Sequence, residues 1–455
     1  MRAPVTDDRA NALAHRDTQD MEAAWDAIEQ AVADNPRDPS IAFIHAQIAL
    51  ETGRPSADLF ERAQAVDPDN LMLARNHAGA LAGEGRADEG IAMLVARLAR
   101  HPDWIDGHKL ITSLRLTHGD SGDAARSYAA ACRVQPQNAV LRLAWFHTAS
   151  LRKDWAAAVA IIDEGVALMG DTRGLTLARL FIASESGSTD PALFDSVAAV
   201  RDPGLDLAQV RFWLRMGDPA RAQAIAARNI GTAAEAVFWP YLSLCWRLRG
   251  DERAAWLDAP GTFIRAYDLD FGGALDHLAT TLRTLHTRSA TFIEQSVRGG
   301  TQTDGNLFLH HDPAIQSVRA KVRAAVADYV ANLPPPDPAH PLLGAPRGDI
   351  LFEGSWSVRL SAQGFHACHT HSRGWISSAL YVALPKADAM GSPPAGWLSF
   401  GTPPPELGLD LKPYAQIEPR AGRLVLFPST MWHGTVPFDG DERLSIAFDV
   451  RRGRG

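Results

Sequence analysis

The sequence predicts a multidomain α + β protein: an all-α solenoid of helical repeats, then a helical lead-in, then an all-β core. Three observations predict it. Two kinds of helix-ending residue recur at one period near 34. After the proline cluster "PPPDPAHP" the texture changes to short alternating runs of β-type residues. Within those runs, histidines and an arginine stand at spacings that suit a metal centre.

The repeat comes first. Pro36, Pro68, Pro102 and Pro136 follow helical stretches at spacings of 32, 34 and 34. Between them Gly53, Gly85, Gly119 and Lys153 sit in the turns "LETGRP", "GEGRAD", "THGD" and "RKDW", again spaced 32, 34 and 34. Two interleaved markers in one period mean a helix, a turn, a helix and a turn. The glycine ends the first helix, and the proline stands where the second has stopped. Ala78, Ala80 and Ala82 would let helices approach closely, and Leu94 and Leu98 give an apolar stripe. The period resembles that of the tetratricopeptide repeat over about residues 21–170. Gly217 and Gly250, 33 apart, carry related pairs to about 255. Trp213, Trp239 and Trp246 read as core residues. A solenoid of this kind is a scaffold whose concave face often binds peptides. The boundaries expected are a flexible N-terminal segment (1–20), the repeat domain (21–255), a helical lead-in (256–340) and the β domain (341–455).

Composition narrows the function classes. The chain has 455 residues, 46% of them hydrophobic and 22% charged, enough to bury a large core. The net charge of -8, from 45 basic and 53 acidic residues, argues against general nucleic-acid binding. Cys132, Cys245 and Cys368 are scattered, so neither a disulfide framework nor a CxxC zinc site is expected. No apolar run suggests a membrane span or a signal peptide, and a reducing cytoplasm is the expected compartment.

The lead-in opens near Leu257, with one helix expected over Gly273 to His286 and a second in "PAIQSVRAKVRAAVADYVANL". Strands are expected in "SWSVRLS", "WISSALYVALP", "GWLSFG", "GRLVLFPS" and "RLSIAFDV". The segment "GFHACHTHSRGW" puts three histidines into six residues. Side chains alternate along a strand, so His369 and His371 share a face, while His366 and Cys368 face away. His433, 62 residues beyond His371, offers a third imidazole. His310, His311 and His340 fit an ordinary role in polar or proline-rich loops. Ten residues after His433, Arg443 and Ser445 share a strand face and could hold a carboxylate by charge-assisted hydrogen bonds. A metal beside a carboxylate receptor describes an iron oxygenase that uses 2-oxoglutarate.

Taken together, "GSWSVRL", "GFHACHTHSRGWISSALYVALP", "GWLSFG", "GRLVLFPSTMWHGTVPF" and "DERLSIAFDV" resemble the bacterial 2-oxoglutarate–Fe(II) oxygenases often fused to tetratricopeptide repeats. The resemblance covers about Gly354 to Val450. It implies a double-stranded β-helix, a cupin-like jelly-roll barrel, with Fe(II) on His369, His371 and His433. It also implies 2-oxoglutarate anchored by Arg443 and Ser445, with ascorbate as a candidate reductant. A protein or peptide bound by the repeat groove is the first substrate expected, and a small molecule the second. Two departures stand out. The wider superfamily has His-x-Asp where this chain has His-x-His, so either His371 is a ligand or it stands behind a water that is. Ser372 also replaces a common proline. The rival readings are a cupin-type metal enzyme, which would want a glutamate soon after the HxH pair, and an inactive repeat scaffold.

Overall fold

The computed structural model describes residues 7–119, 123–287 and 296–451. The expected lead-in segment 288–295, the basic tail 452–455 and the first six residues lie outside them. The chain forms two compact units.

The first unit holds the described residues up to Thr148, together with Asp304–Val318. Its helices alternate as the period requires. Pro39–Glu51, Leu71–Gly83 and Ile105–Thr117 each end two residues before Gly53, Gly85 or Gly119. Met21–Asp34, Ala57–Val66, Ala87–Arg100 and Arg126–Val134 each end two residues before a marker proline. Helix starts are capped by the side chains of Asp20, Asp38 and Asn70, which accept from backbone N–H groups of the first turn. Ala78, Leu94, Leu98 and Leu114 share one buried cluster. Gly90 is required by that close packing, since a Cβ there would fall 2.9 Å from the Ala78 carbonyl oxygen.

The turn series is longer than the glycines alone suggest. Left-handed backbone follows a helix at Gln19, Gly53, Gly85, Gly119, Lys153, Gly187, Gly217 and Gly250. Gln19 (φ 61°) closes the helix Asp8–Asp17, which lies within the segment expected to be flexible. Ala12 of that helix is fully buried against Met21, Ala24 and Ile28. The sign was hidden because a glutamine occupies the position where glycine is the cheaper residue.

The second unit holds Ala149–His286 and, among the described residues, 296–303 and 319–451. Nine strands lie among its described residues. They are β1 (Arg265–Asp268), β2 (Val297–Gln302), β3 (Phe352–His366), β4 (Ile376–Ala383) and β5 (Leu398–Phe400), followed by β6 (Ala415–Ile417), β7 (Arg423–Pro428), β8 (His433–Thr435) and β9 (Arg443–Val450). Six form an antiparallel sheet in the order β1-β7-β4-β9-β3-β2, and three form a second sheet, β6-β5-β8. Phe400 of the small sheet meets Phe427 of the large one edge to face, with ring centroids 4.9 Å apart. The expected strands are all present. The lead-in is not purely helical, however. Beside the helices Ala274–Leu285 and Pro313–Ala331 it contributes β1 and β2, both at edges of the large sheet. Their sequences, "RAYD" and the glycine-rich "VRGGTQ", are too short or too polar to announce strands.

The helices before residue 255 are part of this unit's core. Phe238, Trp239, Leu242 and Trp246 of the helix Glu235–Arg249 cluster with Leu407 and Trp432 from the β part. The Trp432 indole donates to the Pro240 carbonyl (3.0 Å), and its ring meets Tyr241 edge to face at 5.4 Å. A boundary at 255 would divide this cluster. A chain trimmed to residues 256–455 is therefore expected to aggregate or lose its near-UV circular dichroism. One trimmed to 149–455 keeps this cluster whole and should retain more of both solubility and signal, although Asp304–Val318 loses its own unit. Each large apolar side chain uncovered costs about 1.5–3 kcal/mol. A well-folded 256–455 fragment would show that the helical cover is dispensable.

Candidate active site

The three imidazoles are brought together where β3 leaves the large sheet. β3 ends at His366, whose N–H donates to the Thr435 hydroxyl (2.8 Å). His369 then pairs with His433 in an isolated antiparallel bridge, each N–H donating to the other's carbonyl at 3.0 Å. The N–H of His371 donates to the Ser429 carbonyl at 3.0 Å. So the HxH pair is held extended, but not within a regular strand as the alternation suggested. Alternation also fails for His366, because a bend at Cys368 intervenes. Its ring stacks near that of His369, with centroids 6.1 Å apart, rather than facing away. Cys368 packs over Gly434 and is not in the imidazole cluster.

Ring centroids lie 4.3 Å apart for His369 and His433, 4.9 Å for His369 and His371, and 5.1 Å for His371 and His433. One ligand nitrogen from each lies within 4.8 Å of the others, so the three could hold a metal ion. The outward nitrogens fix the tautomers. His369 Nδ1 is 2.7 Å from the Ala367 carbonyl, His433 Nδ1 is 2.9 Å from that of Met431, and His371 Nδ1 is 2.6 Å from Asp449 Oδ2. Carbonyl and carboxylate oxygens only accept, so each Nδ1 donates and each Nε2 keeps its lone pair. Burial and the neighbouring imidazoles hold His433 well below the usual histidine range and bring His369 down to about 3. Both shifts favour the neutral imidazole, the form a metal ligand takes. Phe427, 4.6 Å from the His433 ring, and Phe400 give that side an apolar wall.

β9 carries the second part of the site. Arg443, Ser445, Ala447 and Asp449 alternate onto one face, in register with Leu360, Val358 and Trp356 of β3, and with Tyr381 and Ser377 of β4. Glu442, just before the strand, accepts from Arg283 and Arg359 and anchors its start. Arg443 is 2% exposed; its Nη1 donates to the Gly396 carbonyl (3.0 Å), and its guanidinium lies 4.8 Å from the Tyr381 ring. Among the described residues its Nε has no hydrogen-bond partner and no carboxylate pairs with the guanidinium, whose polar side-chain neighbour is the Tyr381 hydroxyl. Burial pulls the Arg443 pKa down and pushes that of Tyr381 up. A buried cation left this way calls for an anion. Ser445 is buried on the same face, while Ala379 and Ala447 stay partly accessible in strands whose neighbours are buried. Small side chains thus keep the face open.

Sequence reasoning brought forward His369, His371, His433, Arg443 and Ser445, and missed Tyr381 and Asp449. Asp449 was legible in principle, since it continues the 443, 445, 447 alternation. Tyr381 was not, because only the strand register sets it opposite Ser445.

Among solved structures the chain is similar to a prolyl-4-hydroxylase of Pseudomonas putida (20% identity, 43% of this chain and 95% of that one, TM-score 0.28). It is also similar to a tetratricopeptide repeat protein of Parabacteroides merdae (14%, 52% and 97%, TM-score 0.32). A third is a viral collagen prolyl hydroxylase of Paramecium bursaria Chlorella virus-1 (14%, 44% and 94%, TM-score 0.28). No curated protein matches. Among the described residues no helix is long and apolar enough to cross a membrane. Residues 354–449, which contain the three imidazoles, Arg443, Ser445 and Asp449, match the family described as "Putative 2OG-Fe(II) oxygenase".

Proposed function

We propose that the β part of this chain is an Fe(II)- and 2-oxoglutarate-dependent oxygenase, folded as a double-stranded β-helix, that hydroxylates a protein or peptide side chain. One observation carries the reading. Three imidazoles with inward lone pairs lie in the same β part as a buried arginine that pairs with no carboxylate among the described residues, and β9 links them, since its Arg443 shares a strand face with Asp449, the partner of His371. These residues fit the pair of groups. Neutral nitrogens suit a ferrous ion, and a guanidinium fork with two hydroxyls suits a carboxylate. Bound there, the iron and 2-oxoglutarate supply the oxidising power: a C–H bond, O2 and 2-oxoglutarate give C–OH, succinate and CO2.

The chain's own residues do the rest. His369, His371 and His433 would hold the metal through their inward Nε2 atoms. Arg443, Ser445 and Tyr381 would receive the far carboxylate and so orient 2-oxoglutarate. Phe400 and Phe427 limit water on the His433 side, which strengthens the charged contacts within. The peptide reading draws on the first unit, where Phe43, Gln47, Met72, Arg75, Asn76 and Trp104 line a recess of about 630 Å3. Its mixed apolar and hydrogen-bonding lining suits an extended chain.

The test is succinate formation from 2-oxoglutarate by the full chain with Fe(II), ascorbate and O2, against a panel of peptides. Succinate that rises with one class of peptide, with a matching mass gain of one oxygen, is expected. Iron-loaded protein that never consumes 2-oxoglutarate would remove the oxygenase reading.

A further inference from the structure

The three imidazoles differ in what stands behind them. His369 and His433 donate to neutral carbonyls, whereas His371 donates to the carboxylate of Asp449 at 2.6 Å. Asp449 is 8% exposed, and no arginine or lysine pairs with it among the described residues. Its other oxygen accepts from the Ser377 hydroxyl at 2.6 Å, which lies 2.8 Å from the Ser429 hydroxyl. Ser429 in turn accepts the His371 N–H through its carbonyl. The turn is shaped around this cluster. A Cβ at Gly374 would fall 2.5 Å from Ser429 Oγ and 3.2 Å from Asp449 Cβ and Cγ. A buried carboxylate is costly, and orienting an imidazole needs only a carbonyl, as the other two show.

We infer that Asp449 is the charged positioning residue of the metal centre. It holds His371 as the Nδ1–H tautomer, and it sets a negative charge one hydrogen bond behind the third imidazole. That charge is what a ligand set of three neutral imidazoles lacks. Carboxylate–imidazole pairs raise the basicity of the metal-facing nitrogen. Ser377 moderates the same charge by donating to it. The inference rests on the proposal that the three imidazoles bind metal.

The experiment uses the full chain, made metal-free and titrated anaerobically with Co(II) and with Fe(II), followed by the midpoint potential of the bound iron. Asp449→Asn keeps an acceptor for His371 but removes the charge. Co(II) affinity is expected to fall about 10–100-fold, and the Fe(III)/Fe(II) potential to rise. Ser377→Ala leaves the charge and removes its hydroxyl donor, so the potential should move the other way. A purely structural role would give no such opposite pair of shifts. Asp449→Asn with wild-type affinity and potential overturns the inference alone. Where Asp449→Asn does not fold, an unchanged or raised potential in Ser377→Ala overturns it. Wild-type protein that binds neither ion overturns it together with the proposed function.

Discussion

Replacing Arg443 with alanine is expected to leave the imidazole cluster able to bind iron while weakening 2-oxoglutarate binding by tens to thousands of times. Arg443 is buried, and its fork is only partly satisfied by the Gly396 carbonyl. Removing one partner of a buried charge pair costs about 2–5 kcal/mol. The alanine would leave the cosubstrate carboxylate facing Tyr381 and Ser445, two neutral hydroxyls on buried residues. Arg443→Lys should recover part of the loss, because an ammonium supplies the charge but not the planar fork. The direct measurement is titration of the anaerobic iron protein with 2-oxoglutarate, following the metal-to-ligand charge-transfer band. A wild-type protein that binds iron without such a band, or an unchanged titration in the variant, would favour a cupin-type metal enzyme.

Local patterns and long-range register were unequally legible. The period near 34 was written twice, by prolines and by glycines, and the backbone turns left-handed at each of the glycine positions. Lys153 kept the series visible because its spacing was right although its residue type was not. Gln19 did the same job with no neighbouring repeat on its N-terminal side to reveal it. The strands β3, β4, β7 and β9 announced themselves by alternation and by glycine and proline at their ends. β1 and β2 did not, since an edge strand of four to six mostly polar residues owes its existence to its partner. On β9, a two-residue spacing put Arg443 and Ser445 on one strand face, as the strand shows. The same rule failed at His366, because a strand's alternation stops where the strand stops. Tyr381 and the hydroxyl of Ser377 entered only when β4 was set beside β9, and no local pattern encodes that register.

The ligand series carries the other large effect. His369→Ala, His371→Ala and His433→Ala are each expected to cut iron affinity by more than the about 10–100-fold that losing a residue behind a ligand costs. The three losses should be similar, since the rings are near-equidistant and each Nδ1 donates outward, which leaves the Nε2 lone pair for the metal. If His371→Ala keeps full iron while the other two lose it, His371 stands behind a water instead. His371→Asp is the more revealing change. By type it restores the commoner His-x-Asp arrangement. By place it sets a new carboxylate beside Asp449, where the imidazole N–H used to separate the two charges. Like charges in a half-buried turn repel, and one would be driven to take up a proton. His371→Asp alone should therefore bind iron poorly at neutral pH. His371→Asp combined with Asp449→Asn removes the repulsion and offers the new carboxylate an amide donor, so affinity should return toward wild type. Anaerobic iron titration of the two single variants and the double variant measures this coupling. A double variant no better than the sum of its parts would mean that positions 371 and 449 act independently at the metal.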